Sequence, residues 1–189
     1  VAVPHLLHAF LHADDTVVQG SSVGAMARIG EPSVVSLLEI LADRSLSEST
    51  KGHAAWALAF IGSEAKEHLY KALDSDSVDV RCAVIGAIAK VAQEEPKAEL
   101  FEILIKALSD SDENVRCEAA AVLGNLAHQP AIFPLMNLLN YQDAESRKSA
   151  ALALMRIWVN RSSNEKSNEA IDVAISMLEK ALQSESEAG

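Results

Sequence analysis

Aromatic residues are scarce in this chain, at 4% of its 189 residues, although hydrophobic residues make up 49% of the sequence. A core with so few rings must be filled by Ala, Leu, Ile and Val, and these side chains suit closely packed helices. Five prolines and eight glycines are also too few for a β-rich fold with many tight turns. Together, these scarcities indicate an all-α protein.

Basic residues are fewer than acidic ones, with 16 Lys and Arg and 27 Asp and Glu. The formal net charge is therefore −11. A ligand with a phosphate backbone needs clustered cations, so we expect no nucleic-acid partner. Long apolar runs are missing too, since stretches such as residues 54–61 fall far short of the ~20 residues that cross a bilayer. We therefore expect no membrane insertion.

Cysteine is nearly absent, with two residues, and the N-terminus carries no secretory signal. Both features favour a reducing compartment, so we predict a cytoplasmic protein. The first residue is Val1 and not Met, which leads us to expect that an upstream segment has been removed.

What the chain does contain is a helical unit, seen best at residues 111–127, SDENVRCEAAAVLGNLA. Asp112 is a good N-cap residue, and from Val115 onward apolar residues recur at spacings of three and four along one side of a helix. A second amphipathic segment, residues 100–108, precedes it after a short polar turn. The unit is therefore predicted to be a helical hairpin.

The same pattern recurs five times along the chain. Five residues of strong capping type each stand three residues before the position that aligns with Val115: Asp15, Ser47, Ser77, Asp112 and Asp143. The aligned starts are separated by 32, 30, 35 and 31 residues: Val18, Thr50, Val80, Val115 and Ser146. Two helices in every 30–35 residues are typical of an α-solenoid, a superhelix of stacked hairpins.

We predict one domain. The solenoid occupies residues 1–160, and residues 161–189 add a linker, a C-terminal capping helix and an acidic tail. The five repeats run over approximately residues 1–30, 31–62, 63–92, 93–127 and 128–160.

The segment at residues 112–124 resembles the HEAT-like repeat of the phycobilisome lyase family. The residues that carry the resemblance are Asp112, Val115, Arg116, Ala119, Ala120, Leu123 and Gly124. The pattern returns at residues 80–83 (VRCA), 146–151 (SRKSAA) and 53–62 (HAAWALAFIG), and the resemblance covers about residues 1–160. Gln19 and Lys51 depart from it, because the repeat has arginine there. The resemblance implies about five HEAT-like hairpins.

Within this family the chain is more similar to the members that take part in phycobilisome disassembly than to the attachment lyases. The resemblance implies a cyanobacterial protein that binds phycobiliproteins, works with other phycobilisome-degradation factors or a protease, and handles a bilin such as phycocyanobilin transiently, with no tightly bound cofactor. Whether it is an enzyme that detaches the bilin is left open, because the sequence has no recognisable catalytic constellation. Two alternatives also stay open: a subunit of a bilin attachment lyase, and a non-catalytic adaptor that binds proteins.

In such solenoids the second helix of each hairpin usually lines the concave surface, and it presents there the positions that the core does not use. Counting from each aligned start as zero, these are offsets 2, 3, 6 and 10, and we call them the ligand face. The candidates for binding a partner or a bilin on this face are Arg28, His53, Trp56, Phe60, Lys90, Asn125 and Arg156.

The second repeat concentrates rings on this face, because His53, Trp56 and Phe60 lie at i, i+3 and i+7 of one helix. A flat aromatic strip with Arg28 and Lys90 beside it would suit a partner helix or a tetrapyrrole with propionate groups. The alternative is that the two large rings pack between adjacent repeats as core residues. The sequence leaves both interpretations open.

The candidates for chemistry are Cys82, Cys117, His53 and Glu118. The cysteines share one offset in adjacent repeats, and neighbouring helices lie ~8–10 Å apart, so the two should not form a disulfide. A thiol here could accept a released bilin or could simply be a small buried side chain. His5, His8 and His12 share a helix face without the further ligands that close a metal site, so no metal is expected.

Overall fold

The computed structural model of the chain describes residues 2–160 and Ser176, and residues 2–160 form short α-helices joined by turns. The helices are α1 (Ala2–His12), α2 (Thr16–Ile29), α3 (Val34–Ala42), α4 (Glu48–Ile61), α5 (Lys66–Ala72), α6 (Val78–Glu94), α7 (Ala98–Ala107), α8 (Glu113–Asn125), α9 (Ile132–Leu138) and α10 (Ala144–Val159). Short 3-10 turns at Glu31–Ser33, Gly62–Ala65 and Gln129–Ala131 lead into α3, α5 and α9. The predicted all-α solenoid of helix pairs is confirmed.

The chain divides after Leu100 into two compact units. In the first, α1 packs with α2, α3 with α4 and α5 with α6, and the second helices α2, α4 and α6 also pack on one another in that order. In the second, α10 packs with both α8 and α9. That the units act as one domain stays a prediction, and the predicted linker, capping helix and tail at residues 161–189 lie, Ser176 apart, outside the described residues. Among the described residues, no helix combines the length and the apolar character needed to span a membrane.

All five predicted N-caps are confirmed. Each side chain accepts a hydrogen bond from a backbone N–H in the first turn of a second helix: Asp15 from Val17, Ser47 from Thr50, Ser77 from Val80, Asp112 from Asn114 and Asp143 from Ser146. Each such bond satisfies a donor that the helix leaves unpaired and is worth about 1 kcal/mol. The caps therefore determine where each second helix begins.

In all repeats but the second, the residue directly after the aligned start fastens the same turn to the chain before it. In four repeats its side chain donates to the carbonyl oxygen six residues earlier: Gln19 to Ala13 (2.7 Å), Arg81 to Ser75 (2.8 Å), Arg116 to Asp110 (2.8 Å) and Arg147 to Tyr141 (3.1 Å). Gln19 thus keeps the bond although it departs from the arginine of the repeat. Lys51 differs, because its ammonium group donates forward to Asp79 of α6 at 2.5 Å.

Arg116 joins two repeats of the second unit. Its Nη2 lies 2.6 Å from Asp143 Oδ2 and its Nε lies 3.0 Å from Ser146 Oγ, and its side chain is buried. These partners begin α10, so one guanidinium holds the turn before α8 and the first turn of α10 together. Arg116 thus bonds to the cap residue of the adjacent repeat, whereas the carbonyl oxygens that it contacts, those of Asp110 and Ser111, belong to the turn that precedes its own helix.

Small residues let α8 and α10 approach each other closely. Ala119 and Ala120 of α8 and Ala153 of α10 are fully buried. A Cβ atom added to Gly124 would lie 2.7 Å from the Cα atom of Ala153, which is backbone and cannot rotate away. Glycine is therefore required at position 124 by the closeness of the two helices.

We predict that Gly124→Ala lowers the free energy of unfolding by about 1–3 kcal/mol, because the added methyl forces the helices apart. Gly20→Ala is the matched control, since a Cβ there meets nothing within 4 Å. Alanine in a helix should instead add about 0.5–1 kcal/mol at that position. Urea denaturation of the three proteins measures both values, and equal effects of the two substitutions would contradict the close approach.

We predict that the stability of the protein depends on Asp143 in acid. Hydrogen bonds from Ser146, followed by those from Arg116, lower the pKa of Asp143 from 3.8 to about 2. The ionised carboxylate therefore contributes stability that is complete above about pH 5 and is lost as the pH falls through 3.8 toward about 2. Asp143→Asn keeps a capping oxygen but cannot titrate. Between about pH 5 and pH 3 the unfolding free energy should fall more steeply for the wild type than for this variant, and parallel urea-unfolding profiles would contradict the assignment.

Candidate functional site

The predicted ligand face is accessible in both units. None of its residues is buried. The following are all half-buried or exposed: Gly20, Ser21, Gly24, Arg28, Gly52, His53, Trp56, Phe60, Cys82, Ala83, Gly86, Lys90, Cys117, Glu118, Ala121, Asn125, Lys148, Ser149, Leu152 and Arg156. Between them lie the core positions, such as Ala54, Ala57 and Leu58 in α4, which are fully buried. The caps and the helical period therefore separate core positions from surface positions on the second helices, as the sequence predicted.

The two large rings of the second repeat form an exposed pair on α4. Trp56 is 52% exposed and Phe60 is 58% exposed, and their ring centroids lie 5.5 Å apart at an interplanar angle of 34°. This separation is typical of an attractive aromatic pair. The interpretation of these rings as core residues packed between repeats is wrong, since more than half of each side chain is open to solvent.

His53 extends the same exposed side of α4 toward its N-terminus. Its Nδ1 lies 2.8 Å from the backbone carbonyl oxygen of Ser49, and its ring meets the buried Phe10 ring edge-on at 6.2 Å between centroids. A carbonyl can only accept, so Nδ1 carries the proton and Nε2 is left as the acceptor in the neutral imidazole. His53 is thus oriented by two contacts, while the Trp56–Phe60 pair continues the aromatic strip beyond it.

Both second helices that pack beside α4 carry a cation at the equivalent position. Arg28 on α2 and Lys90 on α6 are exposed at the same offset as Phe60. Lys90 also forms an i,i+4 ion pair with Glu94 at 3.1 Å, a weak contact at this exposure. The ligand-face positions of the first unit include no acidic residue, although the whole chain carries a net charge of −11. The site combines exposed rings with positive charge.

The second unit brings together two other predicted binding residues. Arg156 Nη1 on α10 donates to Asn125 Oδ1 on α8 at 2.9 Å. Glu118 lies two turns before Asn125 on α8, and burial raises the pKa of its carboxyl group. Leu152, one turn before Arg156, is 46% exposed at the offset that Trp56 occupies in α4. The equal offset is the signal that could have singled out Leu152 from the sequence.

The four candidates for chemistry are divided between the units. His53 and Cys82 lie on the adjacent helices α4 and α6 of the first unit, and Cys117 and Glu118 are neighbours in α8 of the second. Both cysteines are half-buried thiols without a disulfide, as predicted. The assignment of a catalytic role to any of the four stays a prediction.

Repeated helix pairs with capped second helices define the class of this protein as a HEAT-repeat solenoid. HEAT repeats are recognised in its sequence over residues 3–89 and 101–188. Sequence and fold also relate it to particular proteins.

The bilin biosynthesis protein MpeU of Synechococcus sp. (strain WH8020) is 35% identical over 158 residues, which make up 83% of this chain and 49% of that protein. The chain therefore spans about half the length of this relative. The solved complex of CpcE and CpcF of phycocyanin lyase from Nostoc sp. PCC7120 shares the fold, with a TM-score of 0.57 and 20% identity over 80% of this chain and 97% of that one. The chain belongs to the HEAT-repeat family.

We predict that Trp56→Ala changes the free energy of unfolding by less than about 0.5–1 kcal/mol, because surface substitutions away from the core have small effects. Leu58→Ala, two residues away and fully buried, should cost about 2–5 kcal/mol. Urea denaturation monitored by circular dichroism measures the free energy of unfolding of both variants, whose substitutions lie on the same helix. If Trp56→Ala lowers the free energy of unfolding as much as Leu58→Ala does, Trp56 is a core residue and the prediction is wrong.

Proposed function

We propose that this protein binds phycobiliproteins through the ligand face of its first unit and assists phycobilisome disassembly by loosening or detaching their bilin chromophores. The observation that carries the proposal is the exposed Trp56–Phe60 pair, with Arg28 and Lys90 on the helices beside it. The 35% identity to a bilin biosynthesis protein over 83% of this chain supports the connection to bilins.

The chemistry of this strip fits a bilin and the protein surface around it. Exposed Trp and Phe side chains bury large apolar areas when a flat conjugated ligand or an aliphatic side chain covers them. Arg28 and Lys90 supply donors for the propionate carboxylates of a tetrapyrrole. Tryptophan and arginine are also the residues that contribute most to protein–protein contacts, so the same strip serves binding of the chromophore-bearing protein.

A second candidate function is attachment of the bilin rather than its removal. The likeness to a protein named for bilin biosynthesis and to the fold of the CpcE–CpcF complex of phycocyanin lyase favours this direction. Under this alternative the chain is one subunit of an attachment lyase and needs a second chain for activity. The two directions use the same strip and differ only in what happens to the chromophore.

We predict that the protein binds phycocyanin and that Trp56→Ala combined with Phe60→Ala weakens this binding at least about tenfold, because the exposed rings supply the apolar contact. Phe133→Ala is the matched control, since this ring is 64% exposed and belongs to α9, which contributes no position to the ligand face. Isothermal titration calorimetry gives the three dissociation constants. Equal affinities for the wild type and the double variant would contradict the assignment of the strip.

Absorbance spectra of the protein-bound and free bilin fractions from the same mixtures separate the functions. Loss of bound bilin supports detachment. In parallel mixtures of apo-phycocyanin with added free bilin, gain of bound bilin only when a second lyase-type chain is present supports attachment. Binding to phycocyanin without spectral change makes the protein an adaptor. Replacing Cys82 and Cys117 by Ser tests the thiols, because unchanged detachment would exclude them as acceptors of the chromophore.

A further inference from the structure

Cationic and apolar side chains alternate along one side of α10 in the second unit, and we call this row of side chains the column. Lys148, Leu152 and Arg156 are exposed and follow one another at spacings of four residues, so they lie on the same side of the helix. The column places an apolar side chain between two cations over about 12 Å of helix length. Leu152 is 46% exposed, although leucine is a residue that cores usually bury.

Asn125 of α8 completes the positive end of the column. Its Oδ1 accepts the bond from Arg156 Nη1 at 2.9 Å, so its Nδ2 group, which can only donate, points away from the guanidinium. The bond also restrains the long arginine side chain, which lowers the entropic cost of using it in binding. Asn125 and Arg156 together present hydrogen-bond donors and no charged acceptor. A partner that binds here must therefore supply hydrogen-bond acceptors.

The charges around the column leave its positive character in place. Glu145 approaches Lys148 at 3.6 Å, but both side chains are largely exposed, so the pair is weak. Glu118 is the acidic residue on the ligand face of α8, two turns from Asn125. In a chain of net charge −11, a local column of two cations attracts a negatively charged partner and repels more basic ones.

We propose that Lys148, Leu152 and Arg156, together with Asn125, form a docking surface for an acidic amphipathic helix of a protein partner. Such a helix carries two carboxylates separated by two turns and an apolar side chain between them, which matches the spacing of the column. The surface lies on the second unit and does not depend on the aromatic strip or on any bilin. Its failure and that of the proposed function are therefore separate results.

The test is an NMR titration with a synthetic peptide that carries Glu, Leu and Glu at spacings of four in an alanine-rich helical background. A peptide with Lys in place of both Glu residues is the control ligand. At low salt, where screening is weak, the side-chain amide signals of Asn125 and the backbone signals of α10 should move saturably with the acidic peptide and not with the basic one. Arg156→Gln should weaken the acidic peptide about tenfold, the order expected for one charge-assisted contact.

Lys106→Gln is the matched control variant, because Lys106 is an exposed cation of the same unit on α7, outside the column. It should change the dissociation constant by less than about twofold. Equal affinity in Arg156→Gln, or absence of a saturable shift in the wild type, would overturn the proposal. Movement of the same signals with protein concentration alone would assign the surface to a second copy of the chain and would overturn it too. Arg156 and Lys106 are exposed, so circular dichroism should show both variants folded as the wild type.

Discussion

The first turn of each second helix controls the rest of the structure, because two polar contacts made there fix the position of the helix and its rotation about its own axis. The N-cap determines the residue at which the helix begins, and in four repeats the side chain directly after the aligned start ties that turn to the preceding chain, whereas Lys51 of α4 bonds forward to Asp79. With 3.6 residues per turn, fixing one residue on the helix surface fixes the direction of every other. The number of residues between a position and the start of its helix then determines whether that position faces the core or lies on the ligand face.

This constraint explains how repeats that share one core pattern can expose different side chains on their surfaces. In the second unit Arg116 links the turn before α8 to the cap of α10, and Gly124 allows these helices to approach until backbone nearly meets Ala153. The packed side is therefore confined to small and aliphatic residues, whereas offsets 6 and 10 are free to vary. Trp56 and Phe60 occupy them in α4, and Leu152 and Arg156 occupy them in α10. Binding properties change from repeat to repeat while the core pattern stays constant.

Much of this could be predicted from the sequence, because capping and helical period are local properties. The five caps and the accessible face were correct for that reason. The exposure of Trp56 could not be predicted, since the same spacing places a ring either on the surface or between repeats, and only the packed neighbours decide. The bond between Asn125 and Arg156 was also beyond the sequence, because it joins side chains 31 residues apart whose contact depends on how closely α8 and α10 lie. Gln19 looked like a departure from the repeat, yet an amide donates to the same carbonyl as an arginine does.

The central claim is that the exposed side of α4 is the surface that meets a phycobiliprotein, and the evidence for it is the pairing of Trp56 with Phe60 on an accessible face beside two cations. Its most direct test is site-specific photo-crosslinking, with a benzophenone-bearing phenylalanine analogue in place of Phe60 in one variant and of Phe133 in another. Irradiation of each variant with phycocyanin should give a covalent adduct from position 60 and none above background from position 133. Equal crosslinking from both positions, or crosslinking from position 133 alone, would contradict the account.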